Sequence, residues 1–118
     1  MRMDYLKFLI SLKKDLNQSN SDFITVKFFS KDIVSVLIWF CVLEQYYNNN
    51  NYNIENTISE IPKEYASRPT IFKIIDDAVS KKYFEKILDE NDKRKHNLFP
   101  TSQTITEFEK WAKVFKGF

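Results

Sequence analysis

The sequence predicts a mainly α-helical domain that contains one small β-hairpin, an α+β arrangement. Three observations lead to this prediction: the 118 residues include one glycine, apolar residues recur at helical spacing along most of the chain, and one charged run separates two short apolar runs. Glycine supplies the positive φ angles of tight turns, so a chain with one glycine is a poor candidate for an all-β fold or a glycine-rich phosphate loop. The length is typical of one domain with one core, so residues 1–118 are expected to form a single domain.

The sequence of the N-terminal half predicts two helices joined by a segment whose structure the sequence does not decide. Apolar residues at helical spacing predict an amphipathic helix over residues 3–17. The segment "FITVKFF", residues 23–29, is β-branched and aromatic, and fits either a strand or an extended link. A helix over residues 31–47, capped by Ser30 or Asp32, is apolar on nearly all sides and is therefore the expected centre of the core. The tract "YYNNNNYN" that ends it predicts a loop.

Two short helices are predicted next, with little chain between them. Thr57 and Glu60 have the spacing of a capping box, which predicts a helix to about residue 65 that is interrupted by Pro62. A second helix over residues 67–82 has a proline in its first turn, where a missing N–H costs little. The apolar stripe of this helix consists of Ile71, Ile74, Ile75, Ala78 and Val79. Two short helices in this order are a helix-turn-helix candidate.

A hairpin and a last helix complete the predicted order. The segments "KYFEKIL" and "KHNLFPT" are short and apolar-rich, and they predict two strands on either side of the charged run 89–96. Thr104 and Glu107 again have capping-box spacing, and the last helix carries the apolar residues Phe108, Trp111, Ala112 and Phe115. The predicted order is α-α-α-α-β-β-α. A helix-turn-helix unit followed by a hairpin is the order of a winged helix.

Residues 67–101, "SRPTIFKIIDDAVSKKYFEKILDENDKRKHNLFPT", resemble the DNA-binding half of the MarR-type transcriptional regulators. The chain is also similar in length to the single-winged-helix regulators of the Sar type. The resemblance rests on the Ser-Arg-Pro-Thr start of the second short helix, on "IID" within it, and on the hydrophobic-Glu-basic start of the first strand at 84–86. Along the hairpin, the matching positions are Asp89, Asp92, Arg94, Leu98 and Thr101.

The resemblance implies a homodimeric regulator that binds double-stranded DNA. Helix 67–82 would enter the major groove, and the wing 89–97 would lie at the minor groove, where a narrow A·T-rich stretch attracts an inserted arginine. Residues 57–101 would form the helix-turn-helix and wing, and residues 1–20 and 102–118 would form the dimer. The implied DNA-binding side chains are those of Ser67, Arg68, Thr70 and Lys73 on the helix and Lys93, Arg94, Lys95 and His96 on the wing, with Asp92 supporting the wing by steering the guanidinium of Arg94.

The sequence departs from the family pattern at several positions. Lys82 stands where the family has the glycine that ends the recognition helix, so the turn into the first strand is expected to be built differently. Pro100 stands where the second strand usually still pairs, and Pro62 interrupts the first helix of the pair. The last helix stops at Phe118 and is shorter than in most MarR proteins. These departures bear on dimer geometry more than on the fold.

The family often senses small aromatic or anionic effectors, and the resemblance extends this expectation to the present chain. Four aromatic residues are candidates for the lining of such a cleft: Tyr5, Trp39, Tyr46 and Tyr47. Aromatic residues at helical spacing are more often part of a core, so this remains the weaker part of the hypothesis.

A winged-helix module that binds protein instead of DNA is the alternative function, because a fold alone does not fix function. Five acidic residues count against DNA binding, since they would oppose DNA unless they face away: Asp76, Asp77, Glu85, Asp89 and Glu90. An enzyme is not expected, because His96 is the one histidine and Ser67 has no base nearby in sequence. No cofactor or metal site is expected from one cysteine, Cys41, which lies in an apolar run. That run is far shorter than the ~20 residues of a membrane span, so a cytoplasmic, nucleoid-associated protein with no membrane contact is expected.

Overall fold

The fold is mixed α+β, with six helices and one antiparallel hairpin in the part of the chain that the computed structural model describes, residues 2–17 and 23–116. The remaining residues of the two predicted dimerisation segments, 1, 18–20 and 117–118, lie outside it. The elements in chain order are α1 (Arg2–Asn17), α2 (Ile24–Phe29), α3 (Ile33–Tyr47), α4 (Ile54–Glu60), α5 (Arg68–Ser80), β1 (Phe84–Leu88), β2 (His96–Pro100) and α6 (Ser102–Lys116). The predicted α+β class is confirmed, but five helices rather than four precede the hairpin.

The additional helix is α2, in the segment that the sequence left open between a strand and a link. Its inward side chains, Thr25, Val26 and Phe29, are buried. The backbone amide and the hydroxyl of Thr25 each donate a 2.8 Å hydrogen bond to Oε1 of Glu107 on α6. The segment forms a helix despite its β-propensity because its inward side chains are buried and because the carboxylate of Glu107 accepts hydrogen bonds from the first turn.

α3 is the centre of the core, as its apolar sequence predicted. Asp32 caps it, because Oδ1 accepts a 2.8 Å hydrogen bond from the amide of Ser35. Trp39, which is 1% exposed, stacks on Phe29 of α2 with ring centroids 5.7 Å apart. Phe29 stacks in turn on Phe84 of β1 at 4.8 Å. This aromatic stack joins α2, α3 and the hairpin in one core.

α4 begins and ends earlier than predicted. Its capping box is formed by Asn53 and Asn56, each of whose side-chain oxygens accepts a hydrogen bond from the amide of the other residue, at 2.8 and 3.2 Å. The predicted box of Thr57 and Glu60 is therefore wrong. α4 ends at Glu60, so Pro62 lies in the connection to α5 and interrupts no helix. The side chains of two asparagines thus form the capping box, for which the usual sequence pattern has a Ser or Thr hydroxyl and a Glu or Gln side chain.

The hairpin forms as predicted, and Pro100 is paired at its base as the last residue of β2. A short piece of chain before α4 lies against the other edge of β2. Asn53 forms an isolated antiparallel bridge with Asn97, and the amide of Leu98 donates a 2.9 Å hydrogen bond to the carbonyl of Tyr52. The N-terminus of α4 is thereby fixed to the hairpin.

α5 ends in a Schellman motif two residues before its predicted end. The amide of Tyr83 donates to the carbonyl of Ala78 at 2.8 Å, and that of Lys82 donates to Val79 at 3.0 Å. Lys82 has φ 65°, the left-handed conformation that the motif usually gives to glycine. The turn into β1 therefore forms with a lysine at the position where this motif usually has glycine.

α6 begins at Ser102, and its predicted capping box does not form. The hydroxyl of Thr104 instead donates a 2.6 Å hydrogen bond to the carbonyl of Tyr83, and Glu107 faces α2. Both residues are buried, so their polar groups serve tertiary contacts rather than the helix end.

α1 packs against α6. Among the side chains of α1 that the structure describes, five large apolar ones are exposed: Met3, Tyr5, Leu6, Leu9 and Ile10. None of the described helices is both long and apolar enough to cross a membrane.

Candidate nucleic-acid interface

The N-terminal half of α5 presents the predicted recognition side chains to solvent. Its inward stripe, Ile71, Ile74, Ile75 and Ala78, is buried and fixes the rotation of the helix. Arg68, Thr70 and Lys73 are consequently exposed. Ser67 precedes the helix, and its hydroxyl lies 3.0 Å from the hydroxyl of Thr70 rather than on a backbone amide of the first turn. Hydroxyl, guanidinium and ammonium groups therefore share the exposed start of α5.

Arg68 is paired with Glu55 of α4. Nη1 donates a 2.8 Å hydrogen bond to Oε2, and Nη2 donates to Oε1. The side chains are 55% and 59% exposed, so the pair lies at the surface. The hydrogen bonds between them lower the pKa of Glu55 and raise that of Arg68. The guanidinium carbon of Arg68 also lies 5.1 Å from the centre of the Phe72 ring. The sequence placed Arg68 on this surface but gave no signal for its carboxylate partner.

Asp89 organises the tip of the hairpin. Its Oδ1 accepts hydrogen bonds from the amides of Asn91 at 2.8 Å and Asp92 at 3.2 Å, and its Oδ2 accepts one from the side-chain amide of Asn97 at 3.2 Å. The Asn91 amide, and after it the Asn97 side chain, lower the pKa of Asp89. This carboxylate, which the sequence counted among those opposing DNA, is thus committed to the loop itself.

Asp92 orients Arg94 through the near end of its side chain. Oδ1 accepts hydrogen bonds from the backbone amide of Arg94 at 3.1 Å and from its Nε at 3.2 Å, and these contacts lower the pKa of Asp92. A longer contact of 3.5 Å joins Nη2 to Oδ2. The Arg94 side chain is 92% exposed, against 28% for Asp92. The guanidinium of Arg94 therefore projects from the tip of the hairpin, while the backbone amide and Nε of the same residue are held by Asp92.

A shared cleft brings the hairpin tip next to α4 and α5. It has a volume of about 220 Å³ and is lined by Asn53, Ile54, Glu55, Phe72, Arg94, Lys95 and His96. Glu55 and Phe72 are also the residues that contact Arg68. Arg68 and Arg94 therefore border the same part of the molecular surface. Lys93 is exposed at the hairpin tip, and Lys73 is exposed on α5 directly after Phe72.

The charge of α5 changes sign along its length. Asp76 and Asp77 are exposed in the C-terminal half, beyond the basic residues of the first turns. Desolvation lowers the pKa of Lys31, and the negative charge of Asp77 offsets part of this lowering. Lys31 belongs to the turn between α2 and α3, so Asp77 faces that turn. Glu85 and Glu90 are exposed on the hairpin. Exposed basic side chains thus occur at the start of α5 and at the tip of the hairpin, whereas the C-terminal half of α5 carries exposed carboxylates.

The four aromatic residues expected to line an effector cleft do not line one together, although the rings of Tyr46 and Tyr47 meet edge to face with centroids 5.0 Å apart. Trp39 lies in the core, whereas Tyr5 and Tyr46 are exposed. Tyr47 borders an apolar groove of about 470 Å³ between α3 and α6, together with Phe40, Leu43, Glu44, Phe108, Trp111 and Ala112. Its hydroxyl donates a 2.7 Å hydrogen bond to Glu109, and partial burial together with this carboxylate raises the pKa of Tyr47 to about 12. The groove is apolar and offers few groups that would bind an anion.

Cys41 has no chemical role in this surface. It is half-buried on α3, and burial, followed by the neighbouring Glu60, raises the pKa of the thiol to about 12. The thiolate that a nucleophile or metal ligand needs is therefore scarce at neutral pH. Among the described residues, no three His, Cys, Asp or Glu side chains are grouped as metal ligands.

No protein-family model, curated protein or solved structure matches this chain. What the surface can do chemically therefore follows from its own side chains. Guanidinium, ammonium and hydroxyl donors on two neighbouring projections suit phosphate oxygens and the acceptor edges of bases.

Proposed function

We propose that this chain is a winged helix-turn-helix protein that binds double-stranded DNA as a homodimeric transcriptional regulator. α4 and α5 form the helix-turn-helix, and the β1–β2 hairpin is the wing. The observation that carries the proposal is that Arg94, at the hairpin tip, lines a cleft with Glu55 and Phe72. The same two residues contact Arg68 at the start of α5. Cationic donors on two neighbouring projections can contact adjoining grooves of one duplex, whereas donors on opposite sides of a molecule cannot.

The order and pairing of the elements support the winged-helix arrangement. α4 and α5 are separated by residues 61–67 only, and the hairpin follows α5 directly through the turn at Lys82. The bridge between Asn53 and Asn97 adds a short third edge to the hairpin immediately before α4. The two helices and the wing are thereby held as one unit, which a surface that reads a rigid duplex requires.

Each predicted site residue has a role in the proposal. Ser67, Arg68, Thr70 and Lys73 lie where the N-terminus of a recognition helix meets base edges and phosphates, since free amides of a first turn also attract anions. Arg94 enters the minor groove, supported by Asp92. The remaining wing residues, Lys93, Lys95 and His96, contact phosphates. Such a regulator would be cytoplasmic and associated with the nucleoid.

Dimerisation completes the proposal. Leu9 is 60% and Ile10 57% exposed on α1, and large contiguous apolar patches are uncommon on monomers. The apolar groove between α3 and α6 is a second uncovered surface. A two-fold dimer that buries these surfaces would present two copies of α5 to half-sites about one DNA turn apart.

The test is selection of bound duplexes from fragmented genomic DNA, followed by titration of the selected duplex. The affinity is expected to fall with salt, with a log–log slope of roughly −0.9 for each phosphate contacted. Arg94→Ala is expected to weaken binding by about tenfold or more, as for other base-contacting arginines. Lys81→Ala is the control, because it removes an exposed cation at the C-terminal end of α5, outside the proposed DNA-contacting and dimer residues. Salt-insensitive binding, no selected duplex, or equal losses in both variants would contradict the proposal.

The alternative is a winged-helix module that binds another protein. Ile87 and Leu88 of β1 favour it, because they are 46% and 52% exposed beside the acidic residues of the hairpin. Exposed apolar side chains rimmed by charge are typical of protein-binding surfaces. Failure to select any duplex, together with loss of partner binding in Leu88→Ser, would establish this second function.

A further inference from the structure

Glu55 is a negative charge within the proposed DNA-binding surface. Its carboxylate holds Arg68 and lines the cleft that also contains Arg94, Lys95 and His96. A duplex that contacts both arginines would bring its phosphates towards this carboxylate. Because like charges repel, Glu55 opposes DNA binding at this position. Its presence there therefore calls for a separate explanation.

Stability of the fold does not account for the pair. Both side chains are more than half exposed, at 55% and 59%, and ion pairs in solvent contribute little to stability. The rotation of α5 is already fixed by its buried stripe, and the start of α4 by its asparagine capping box. The contact between Glu55 and Arg68 is therefore free to change without disturbing either helix.

The geometry of this pair differs from that of Asp92 and Arg94. Asp92 binds the backbone amide and Nε of Arg94, and its contact with Nη2 is long at 3.5 Å. Glu55 instead binds both terminal nitrogens of Arg68. These terminal nitrogens are the donors that an arginine uses for bidentate contact with a phosphate or with the edge of guanine. Arg68 therefore cannot keep Glu55 and bind DNA in this way at the same time.

We propose that Glu55 is an internal counterion that occupies Arg68 in the free protein and is displaced when DNA supplies acceptors that replace both of its hydrogen bonds. This inference rests on the proposed function and deepens it. A selected site places a pair of acceptors opposite Arg68, and the hydrogen bonds to them offset the free energy lost when Glu55 is displaced. A duplex of unrelated sequence offsets less of this free energy. Glu55 is thus a specificity-determining residue that lowers affinity for non-specific DNA more than for the selected site.

The test is Glu55→Gln, measured on the selected duplex and on a duplex of unrelated sequence. Affinity for the unrelated duplex is expected to rise on the order of fivefold, the net value of one typical hydrogen bond. The salt slope on that duplex should steepen by roughly 0.9, because Arg68 gains one phosphate contact. The ratio of specific to non-specific affinity should fall.

Two further variants isolate the effect. Glu64→Gln removes the same charge from the exposed connection between α4 and α5, and should change affinity by less than about twofold, since an exposed charge without this contact contributes little. In an Arg68→Ala background, Glu55→Gln should leave the salt slope unchanged, because no guanidinium is released. Circular dichroism of each variant checks that the fold is retained.

The outcomes separate this inference from the proposed function. If wild-type protein binds DNA and Glu55→Gln binds more weakly, then Glu55 positions Arg68, and the counterion role is overturned. Unchanged affinity and slope, or the same gain in Glu64→Gln, overturn it as well. If no form of the protein binds any duplex, the proposed function fails and the inference falls with it.

Discussion

Lys82 has a left-handed backbone conformation, which is energetically unfavourable for residues that have a Cβ atom. Its φ of 65° lies in the left-handed region, where the Cβ atom approaches the following carbonyl and costs roughly 1–2 kcal/mol. The two hydrogen bonds of the Schellman motif and the burial of the adjacent hairpin base maintain it. The strain is local, because the chain on both sides has regular geometry.

Lys82→Gly is therefore expected to raise the free energy of unfolding by about 1 kcal/mol, the steric cost less the entropy that glycine adds to the unfolded chain. Chemical denaturation followed by circular dichroism measures it. Lys81→Gly is the matched control, because Lys81 has φ −83° and gains no relief; it should leave stability unchanged or lower it. Equal stabilisation by both substitutions would show that strain at Lys82 is not the cause.

At the scale of single residues, the sequence identified both arginine side chains but the partner of only one of them. Arg68 and Arg94 were placed at the start of a helix and in a loop, and both are exposed there. The partner of Arg94 is two residues away, so a local pattern contained it. The partner of Arg68 is thirteen residues away in another helix, and its position depends on how α4 and α5 pack. No local pattern contains that information.

At the scale of elements, predictions held where the pattern of one segment decides its structure. α3, α5 and the hairpin follow from their apolar periodicity and from the charged run between the strands. α2 could not be predicted, because six residues of β-branched and aromatic character form a helix only when packed. The start of α4 was missed because Asn53 and Asn56 replace the residues that usually define a capping box.

α2 depends on one residue of α6. A helix of six residues is too short to be stable alone, and the buried carboxylate of Glu107 accepts hydrogen bonds from both the amide and the hydroxyl of Thr25. A further hydrogen bond of 3.0 Å, from Gln103, holds the carboxylate in place. α2 and α6 are therefore coupled through polar as well as apolar contacts.

Glu107→Ala is expected to lower the free energy of unfolding by about 1–3 kcal/mol, because it leaves the buried donors of Thr25 without an acceptor. Urea denaturation measures the loss. Glu109→Ala, two residues along on the exposed side of α6, removes only the contact with Tyr47 and should cost well under 1 kcal/mol. In a Thr25→Val background the effect of Glu107→Ala should shrink. Equal losses for the two glutamates would argue against a special role for the buried one.

At the scale of the whole molecule, the proposed dimer makes a separate prediction. Sedimentation at micromolar concentration should give a dimer for the wild-type protein. Leu9→Glu should give a monomer with an unchanged circular dichroism spectrum, because Leu9 is 60% exposed in a single chain and a charge there opposes only association. Lys86→Glu reverses an exposed charge on β1, outside the proposed interface, and should remain dimeric. A wild-type monomer, or dissociation of both variants, would contradict the proposed interface.

Asn53 has two tasks whose combination has a mechanical consequence. It bridges to Asn97 of the hairpin, and its side chain caps α4. Tilting the hairpin against α4 would break either the bridge or the cap, so the hairpin and α4 are expected to move together. A force applied at the loop between β1 and β2 would therefore be transmitted to α4 and, through it, to the core beneath.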